Sequence, residues 1–274
     1  PTLSNRPLPD NFLRPYSGYG DVTAYEHIAT ANYHSFQLGV TRHWSRGLQY
    51  GVAYTRAKTL GLANSDTVVI SPYFAPRQWN YGPLEFDRPH VLVFNYVYDL
   101  PKVGTMLGPR PARWVFDNWQ IAGIASFISG TPFTPTFSTV DGQDITGSSE
   151  GARITVAGDP NLPKSERDFF CNFRTEAFRR TPRGEFGNVG VGILRGPGTN
   201  NWDITLNKRF PLFAEGRYIQ FRTELFNAWN HTQFASLFTA AHFDAGGSQI
   251  DSNFGAYRSA RPARIIQLSV KIVF

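Results

Sequence analysis

The stretch Arg264-Ile-Ile-Gln-Leu-Ser-Val-Lys-Ile-Val-Phe274 decides the fold. Successive strand side chains point to opposite faces. Ile266, Leu268, Val270, Ile272 and Phe274 therefore share one face of an extended strand, and Gln267, Ser269 and Lys271 share the other. A half-buried strand of a soluble protein gives the same alternation. It seldom finishes on an aromatic residue with nothing following to cover the apolar row. A strand whose apolar side meets lipid needs no covering layer, and transmembrane barrels read in this way.

The same period recurs upstream. Phe36, Leu38, Val40 and Trp44 share a face, and after Ser45-Arg46-Gly47 so do Leu48, Tyr50, Val52 and Tyr54, which predicts a tight hairpin. Leu92, Phe94, Tyr96 and Tyr98 alternate less cleanly, because Val91, Val93 and Val97 occupy the other face. Trp119, Ile121, Gly123, Ala125 and Phe127 form the next row. Trp202, Ile204, Leu206 and Phe210 then alternate with Asp203, Thr205, Asn207 and Arg209, and Ile219, Phe221, Thr223 and Leu225 with Tyr218, Gln220, Arg222 and Glu224. A short extended piece over residues 21–26 is expected before the first hairpin. The connections alternate in length: 45–47, 101–113 and 211–216 read as short turns, and 57–87, 131–199 and 228–263 as long loops. Up-and-down outer-membrane barrels have short periplasmic turns and long outer loops. A soluble sandwich has little reason to gather its long loops at one end, although binding sandwiches sometimes do.

Composition narrows the classes. The 274 residues hold 41% hydrophobic side chains, and no apolar run approaches the roughly 18 residues of a spanning helix. The 23 Phe, 12 Tyr and 6 Trp suit β-structure and also the aromatic girdles of a barrel. One cysteine, Cys171, excludes an internal disulfide framework and any multi-cysteine metal site. The net charge of +6 is spread over scattered Lys and Arg without a basic run or recognition helix, which argues against nucleic-acid binding. No signal peptide is visible in residues 1–10, so an exported chain of this sequence is expected to be part of a longer product.

Motifs for chemistry are missing. The histidines (His27, His34, His43, His90, His231, His242) have no zinc-hydrolase spacing, and Cys171 has no His partner nearby in sequence. Gly187-Asn-Val-Gly-Val-Gly192 lacks the context of a phosphate loop and reads as a flexible loop. Neither enzyme activity nor a cofactor is expected. The constellation that matters is the polar row Asp203, Arg209, Gln220, Arg222, Glu224, Gln267 and Lys271, which alternation turns away from the apolar face. Charge on an inner barrel side requires water, an ionic lattice or a protein plug. Cross-strand pairing that stabilises the wall is favoured over contact with a plug or a solute path, since wide barrels need such a lattice.

Phe221-Arg-Thr-Glu-Leu-Phe-Asn-Ala-Trp-Asn-His-Thr-Gln-Phe234 resembles a sequence near the end of TonB-dependent outer-membrane receptors of the Oar-like type. So does Arg195-Gly-Pro-Gly-Thr-Asn-Asn-Trp-Asp-Ile-Thr-Leu-Asn-Lys-Arg-Phe210. Phe86-Asp-Arg-Pro-His-Val91, Tyr98-Asp-Leu-Pro101, Trp119-Gln-Ile-Ala-Gly123 and Ser129-Gly-Thr-Pro-Phe133 are similar to its earlier strands, in matching order from about Gly18 to Phe274. The resemblance implies a barrel of about 22 strands around an N-terminal plug, energised by TonB through a short box. Neither plug nor box is found here, so the family's transport residues in those parts are not carried over. A complete eight-stranded barrel is disfavoured, because Pro1, Pro7, Pro9 and Pro15 make a poor strand partner.

The expected fold is all-β: an antiparallel up-and-down transmembrane β-barrel, of which residues 1–274 supply about seven or eight strands of the C-terminal part. The expected location is the outer membrane of a Gram-negative-type bacterium, and the expected function of the parent is uptake of a solute. Its partners would be outer-membrane lipid, the plug and TonB. The barrel-assembly machinery would read Ile266, Leu268, Val270, Ile272 and Phe274 as the family's terminal signal. The competing reading is a secreted soluble β-sandwich that binds carbohydrate or protein through its loops. Trp44, Trp119 and Trp202 are expected on the outward face, some of them at interfacial girdles. Residues 131–199 are expected to be extracellular and to tolerate insertion better than any strand, with a tag near Gly147 visible on intact cells.

Overall fold

Period-two alternation becomes seven long strands because each segment offers a continuous apolar row to one side and meets a turn at one end. A computed structural model describes residues 16, 18–19, 24–64, 73–142, 145–146, 151–212 and 216–274. Its main strands are β1 (Ala31–Ser45), β2 (Leu48–Gly61), β3 (His90–Asp99), β4 (Trp119–Ile128), β5 (Thr199–Pro211), β6 (Tyr218–Phe226) and β7 (Ile265–Val273). Each pairs antiparallel with its neighbours in sequence, giving the order β1-β2-β3-β4-β5-β6-β7. Among the described residues β1 and β7 do not pair with each other, and the sheet is open at both edges.

The register carries one face across all seven strands. Leu38 lies opposite Tyr54, Tyr54 opposite Leu92, and Leu92 opposite Phe127. Further along, Gly123 meets Ile204, Ile204 meets Leu225, and Leu225 meets Ile266. All the apolar rows read from the sequence thus merge into a single surface. It includes Trp119 and Trp202 by alternation, whereas at Trp44 the alternation is interrupted by a register shift between Arg42 and Ser45. Among the described residues no second sheet packs on it: the other pairings are four two-stranded ribbons within the long connections and the short Gly82–Pro83 strand beside β2. The sandwich reading is thereby corrected, since a sandwich buries this face under another sheet. Along the last strand the face is open, with Leu268 62% and Val270 64% exposed.

The connections fall at opposite ends, as their lengths foretell. The β1–β2 turn is closed by Arg46 (φ 53°) and Gly47 (φ 79°), the pair of positive φ angles that matches the twist of a two-residue hairpin. Asp99 and Trp119, and Pro211 and Tyr218, flank the other two short connections at that same end. Three expectations need correction here. Residues 101–113 are not a simple turn: they begin a helical hairpin, α1 (Val103–Leu107) and α2 (Arg110–Phe116). The polar stretch thought to begin at residue 57 starts later, because β2 continues to Gly61 against Ala31 of β1. In the piece expected at 21–26, residues 24–26 are not strand, and 21–23 lie outside the described residues.

The three long connections form a cap with its own core. Ile154, Phe173, Phe178, Val189 and Leu194 from the second pack with Ala241, Phe243 and Phe254 from the third. Phe137 meets Phe243 edge to face at 5.9 Å, and Thr136–Thr139 pairs in parallel with Ala240–Phe243. The first connection joins through Arg153, whose guanidinium donates to the Trp79 carbonyl (2.7 Å) and the Asn80 side chain (2.8 Å). Gly187–Gly192 is accordingly not a flexible loop. Val189 is buried and its amide donates to the Ile154 carbonyl, while Asn188 bonds Val156 through both its amide oxygen and nitrogen. Within 131–199, the segments that carry Ile154, Phe173, Phe178, Val189 and Leu194 are held by this core. The tag position near Gly147 lies outside the described residues.

Candidate functional site: the polar face and the loop cap

Opposite the apolar surface, the register brings the predicted polar row onto one face of β5, β6 and β7. Arg209 lies opposite Gln220 and Gln220 opposite Lys271; Glu224 lies opposite Gln267. The amides link up across four strands. Gln120 donates to Asp99 (2.8 Å), Asn207 to Gln120 (3.4 Å) and Gln220 to Asn207 (3.2 Å). Arg222 and Glu224 form an ion pair at 2.5 Å along one side of β6. Both are solvent-accessible enough that such a pair contributes about 0–1 kcal/mol. The guanidinium of Arg209 lies 5.4 Å from the Tyr218 ring. Asp203 stands apart from the row: its carboxylate accepts from Asn201 (2.9 Å) and from the Asn227 amide (3.0 Å), which ties down the chain leaving β6. Sequence reasoning left out Asn207, Gln120 and Asp99, whose amide and carboxyl groups complete the ladder. Asn207 was visible in the alternation of β5; Gln120 and Asp99 come into range only through strand pairing.

Charge on this face lies mostly in one half. Across β1 to β4 the side opposite the apolar row carries uncharged polar groups, among them Ser35, Gln37, Thr41, Gln49, Thr55, Asn95 and Ser126, between small or apolar Gly39, Gly51, Ala53, Val93, Val97, Ala122 and Ile124. Ile124 is 51% exposed there. The poor alternation of β3 arises because Val91, Val93 and Val97 share this face with Asn95 and Asp99. At the short-turn end a cleft of about 150 Å³ lies among Asp99, Lys102, Gln120, Asn207 and Arg209.

At the other end a collar joins wall and cap. Asp87 is 1% exposed and accepts from the Thr59 amide of β2 and from Arg195, each at 2.5 Å. Arg195 also donates to the Gly130 carbonyl (3.3 Å), and Arg88 to that of Ser129 (2.8 Å). Burial, then Arg261 and Arg195, holds the Arg88 guanidinium below its ordinary value. Neither Asp87 nor Arg195 was singled out from sequence for a role, although both lie in the quoted Phe86–Val91 and Arg195–Phe210 stretches. Above the collar a cleft of about 400 Å³ is lined by Asn64, Glu85, Thr131, Thr134 and Val191, among others.

The remaining reactive groups are engaged locally. His90 shares a hydrogen bond with the Tyr54 hydroxyl (2.8 Å), and His242 with that of Ser138 (2.8 Å). Burial, with the Asp168 and Glu176 carboxylates, pushes the Cys171 thiol up, away from a reactive thiolate. Among the described residues no three His, Cys, Asp or Glu side chains come together to hold a metal.

Strand length fits a bilayer. A transmembrane strand needs about 9–11 tilted residues, and β3, β4, β6 and β7 have 10, 10, 9 and 9. Tryptophan lies toward both ends of the apolar face, Trp202 beside Trp229 (6.2 Å) at the cap and Trp119 beside the short-turn helices. That is where an indole at a headgroup level belongs. Comparison with known proteins agrees: a family model described as "Outer membrane beta barrel domain" matches residues 1–267. Searches of curated proteins and of solved structures returned no match. With an uncovered apolar face, bilayer-length strands and a family match over almost its whole length, the chain belongs to the outer membrane beta barrel domain family and is a protein of the Gram-negative outer membrane.

Proposed function

We propose that this chain is part of the wall of a TonB-dependent receptor of the Oar-like type, which takes up a solute across the outer membrane. The observation that carries the reading is the division of one sheet into a continuous apolar face and a half-charged opposite face. Asp203, Arg209, Gln220, Arg222, Glu224, Gln267 and Lys271 on the inner side pair across the wall and suit a water-filled or plugged lumen, which charge there requires. The ordered motifs from Phe86 to Phe234 support the family at the finer level. In this reading further strands complete the barrel beyond β1 and β7, a plug lies inside it, and TonB supplies energy from the periplasmic side. The short turns face the periplasm and the cap faces outward, where it meets the solute first. The inner side of β1 to β4, nearly uncharged and mixed in small, apolar and polar side chains, suits packing against a folded plug, and the more charged inner side of β5 to β7 suits water. The chain acts without chemistry of its own.

The test is uptake by cells with and without the full-length protein, screened over a pool of solutes, with and without a protonophore. The expected result is loss of one solute class on deletion, and equal loss when the proton gradient is collapsed. Uptake that survives the protonophore would make the protein a passive pore and remove the TonB assignment.

A further inference from the structure

The β3–β4 connection is the one link at the short-turn end that contains helices, among the described residues. It is built as a rigid unit. A Cβ on Gly104 of α1 would lie 2.4 Å from the Ala112 carbonyl oxygen of α2, so the helices cross at a contact that only glycine permits. The Asp117 carboxylate accepts from the Thr105 amide (3.2 Å) and hydroxyl (2.5 Å), which fastens α1 to the end of α2. The hairpin is then fixed to the foot of the wall. The Trp119 indole donates to the Val115 carbonyl (2.9 Å), the Lys208 ammonium donates to the Asp117 carbonyl, and Trp114 lies on Phe210 with ring centroids 4.6 Å apart. Trp119, Lys208 and Phe210 all belong to the apolar face that lipid covers.

Well fastened as it is, this hairpin exposes apolar side chains. Met106 is 84% exposed, and Leu107, Trp114, Val115 and Phe116 are each about half exposed or more. Every charge in residues 100–116 is positive: Lys102, Arg110 and Arg113. All three are exposed, and none is in an ion pair among the described residues. The flanking acids are Asp99, exposed on the polar face of β3 where it accepts from Gln120, and Asp117, buried and bonded inward. Within the hairpin itself, apolar side chains with basic ones and no acid is the composition of an element that lies in a membrane interface. Continuity with the lipid-covered face through Trp114 and Phe210 puts the hairpin at that level.

We propose that α1 and α2 form a membrane-interface anchor: Met106, Leu107, Trp114, Val115 and Phe116 enter the lipid at the short-turn end, and Lys102, Arg110 and Arg113 bind the phosphates of phospholipid headgroups. The anchor fixes the depth of the wall beside β4 and β5. That these lipids are phospholipids of the inner leaflet rests on the orientation given under Proposed function.

Spin labels test depth directly. The full protein, with Met106→Cys or Leu107→Cys in a Cys171→Ser background, is reconstituted in phosphatidylethanolamine with phosphatidylglycerol. Accessibility to oxygen and to a water-soluble nickel chelate is then compared. Both labels are expected about 5–10 Å below the phosphates, while a label at Arg46→Cys in the β1–β2 turn reports water. A label at residue 106 as open to nickel as that at residue 46 overturns the anchor. Changing Lys102, Arg110 and Arg113 together to Gln, with barrel folding checked by gel mobility before and after heating, is expected to move the labels outward. Unchanged depth overturns phosphate binding. Sidedness is read separately, from labelling of Arg46→Cys, also in the Cys171→Ser background, by an impermeant thiol reagent, expected only after cells are permeabilised. Labelling of intact cells overturns the orientation and the choice of leaflet, whereas a failed depth result overturns the anchor alone.

Discussion

Ala125 is the one residue of the seven-stranded wall among the buried apolar side chains, while Ile154, Phe173, Phe178, Val189, Leu194, Phe243 and Phe254 all lie in the long connections. The two regions use the same kinds of residue and dispose of them oppositely. The cap turns its phenylalanines inward upon one another, as Phe173 does with Phe133, Phe178 and Phe254. The wall turns Leu268, Val270 and Ile272 outward in one continuous sheet face. A protein surrounded by water throughout would have no means of covering the second arrangement. The contrast therefore marks where the solvent changes, from hydrocarbon around the strands to water around the cap.

The largest expected effect breaks the cap without breaking the wall. Phe173→Ala removes the ring at the centre of the cap core and is expected to cost about 3–5 kcal/mol of local stability. Protease should then cut within residues 151–198, while the barrel keeps its heat-dependent gel mobility. Loss of both together would mean that wall and cap fold as one unit.

Two neighbouring residues sharpen the contrast within the wall. Val270→Asp places charge on the lipid side, which costs somewhat less than the about 2–4 kcal/mol of a midplane Arg or Lys. Ser269→Asp, one residue away on the polar side, is expected to change stability by no more than about 0.5 kcal/mol. The ratio of membrane-inserted protein to periplasmic aggregate in the full-length parent reads both. Deleting Phe274 is expected to lower the same ratio if the terminal row serves as an assembly signal, and normal insertion of the truncated protein would refute that role.

At the junction, Asp87→Asn leaves Arg195 without its carboxylate and is expected to cost about 1–3 kcal/mol. Amide exchange at Thr59 and in residues 129–131 should quicken, with the strands below unchanged. The smallest effect is a pH dependence at the opposite end. Burial pushes the Asp117 carboxyl up, but the Thr105 hydroxyl and amide, the Gly104 amide and the Lys208 charge outweigh it and hold it below the usual range. A depressed carboxylate stabilises the fold above its unfolded pKa of about 3.9 and loses that contribution as pH falls through the lower folded value. The α1–α2 hairpin should accordingly loosen only below about pH 4, read as a change in Trp114 emission that Asp117→Asn abolishes.

The wall was legible because a strand announces its faces locally. Ile266 to Phe274, or Trp202 to Phe210, needs no knowledge of the rest of the chain to be divided into two rows. The polar row followed from the same local rule, apart from Gln120 and Asp99, which the ladder recruits from strands whose own rows look unremarkable. The cap was not legible. Its core unites Phe173 with Phe254 and Phe137 with Phe243, contacts between segments tens of residues apart and without a period, so glycine and proline made them look loose. The collar was missed for a related reason: Asp87 and Arg195 are ordinary charged residues until folding places them at 2.5 Å. The helices at 103–116 were hidden by Pro101, Pro109 and Pro111, which suggest a turn but are also tolerated at the first positions of a helix.

The central claim, that lipid covers one face of the wall and not the other, is tested most directly on β7. Single cysteines at residues 266 to 272, in the full-length protein with Cys171→Ser, are exposed to a water-soluble thiol reagent in native outer membranes. The account predicts alternation: Gln267→Cys, Ser269→Cys and Lys271→Cys react, whereas Ile266→Cys, Leu268→Cys, Val270→Cys and Ile272→Cys react only after lipid is replaced by denaturant. Equal reactivity of the two rows, or protection of the polar row alone, would contradict it.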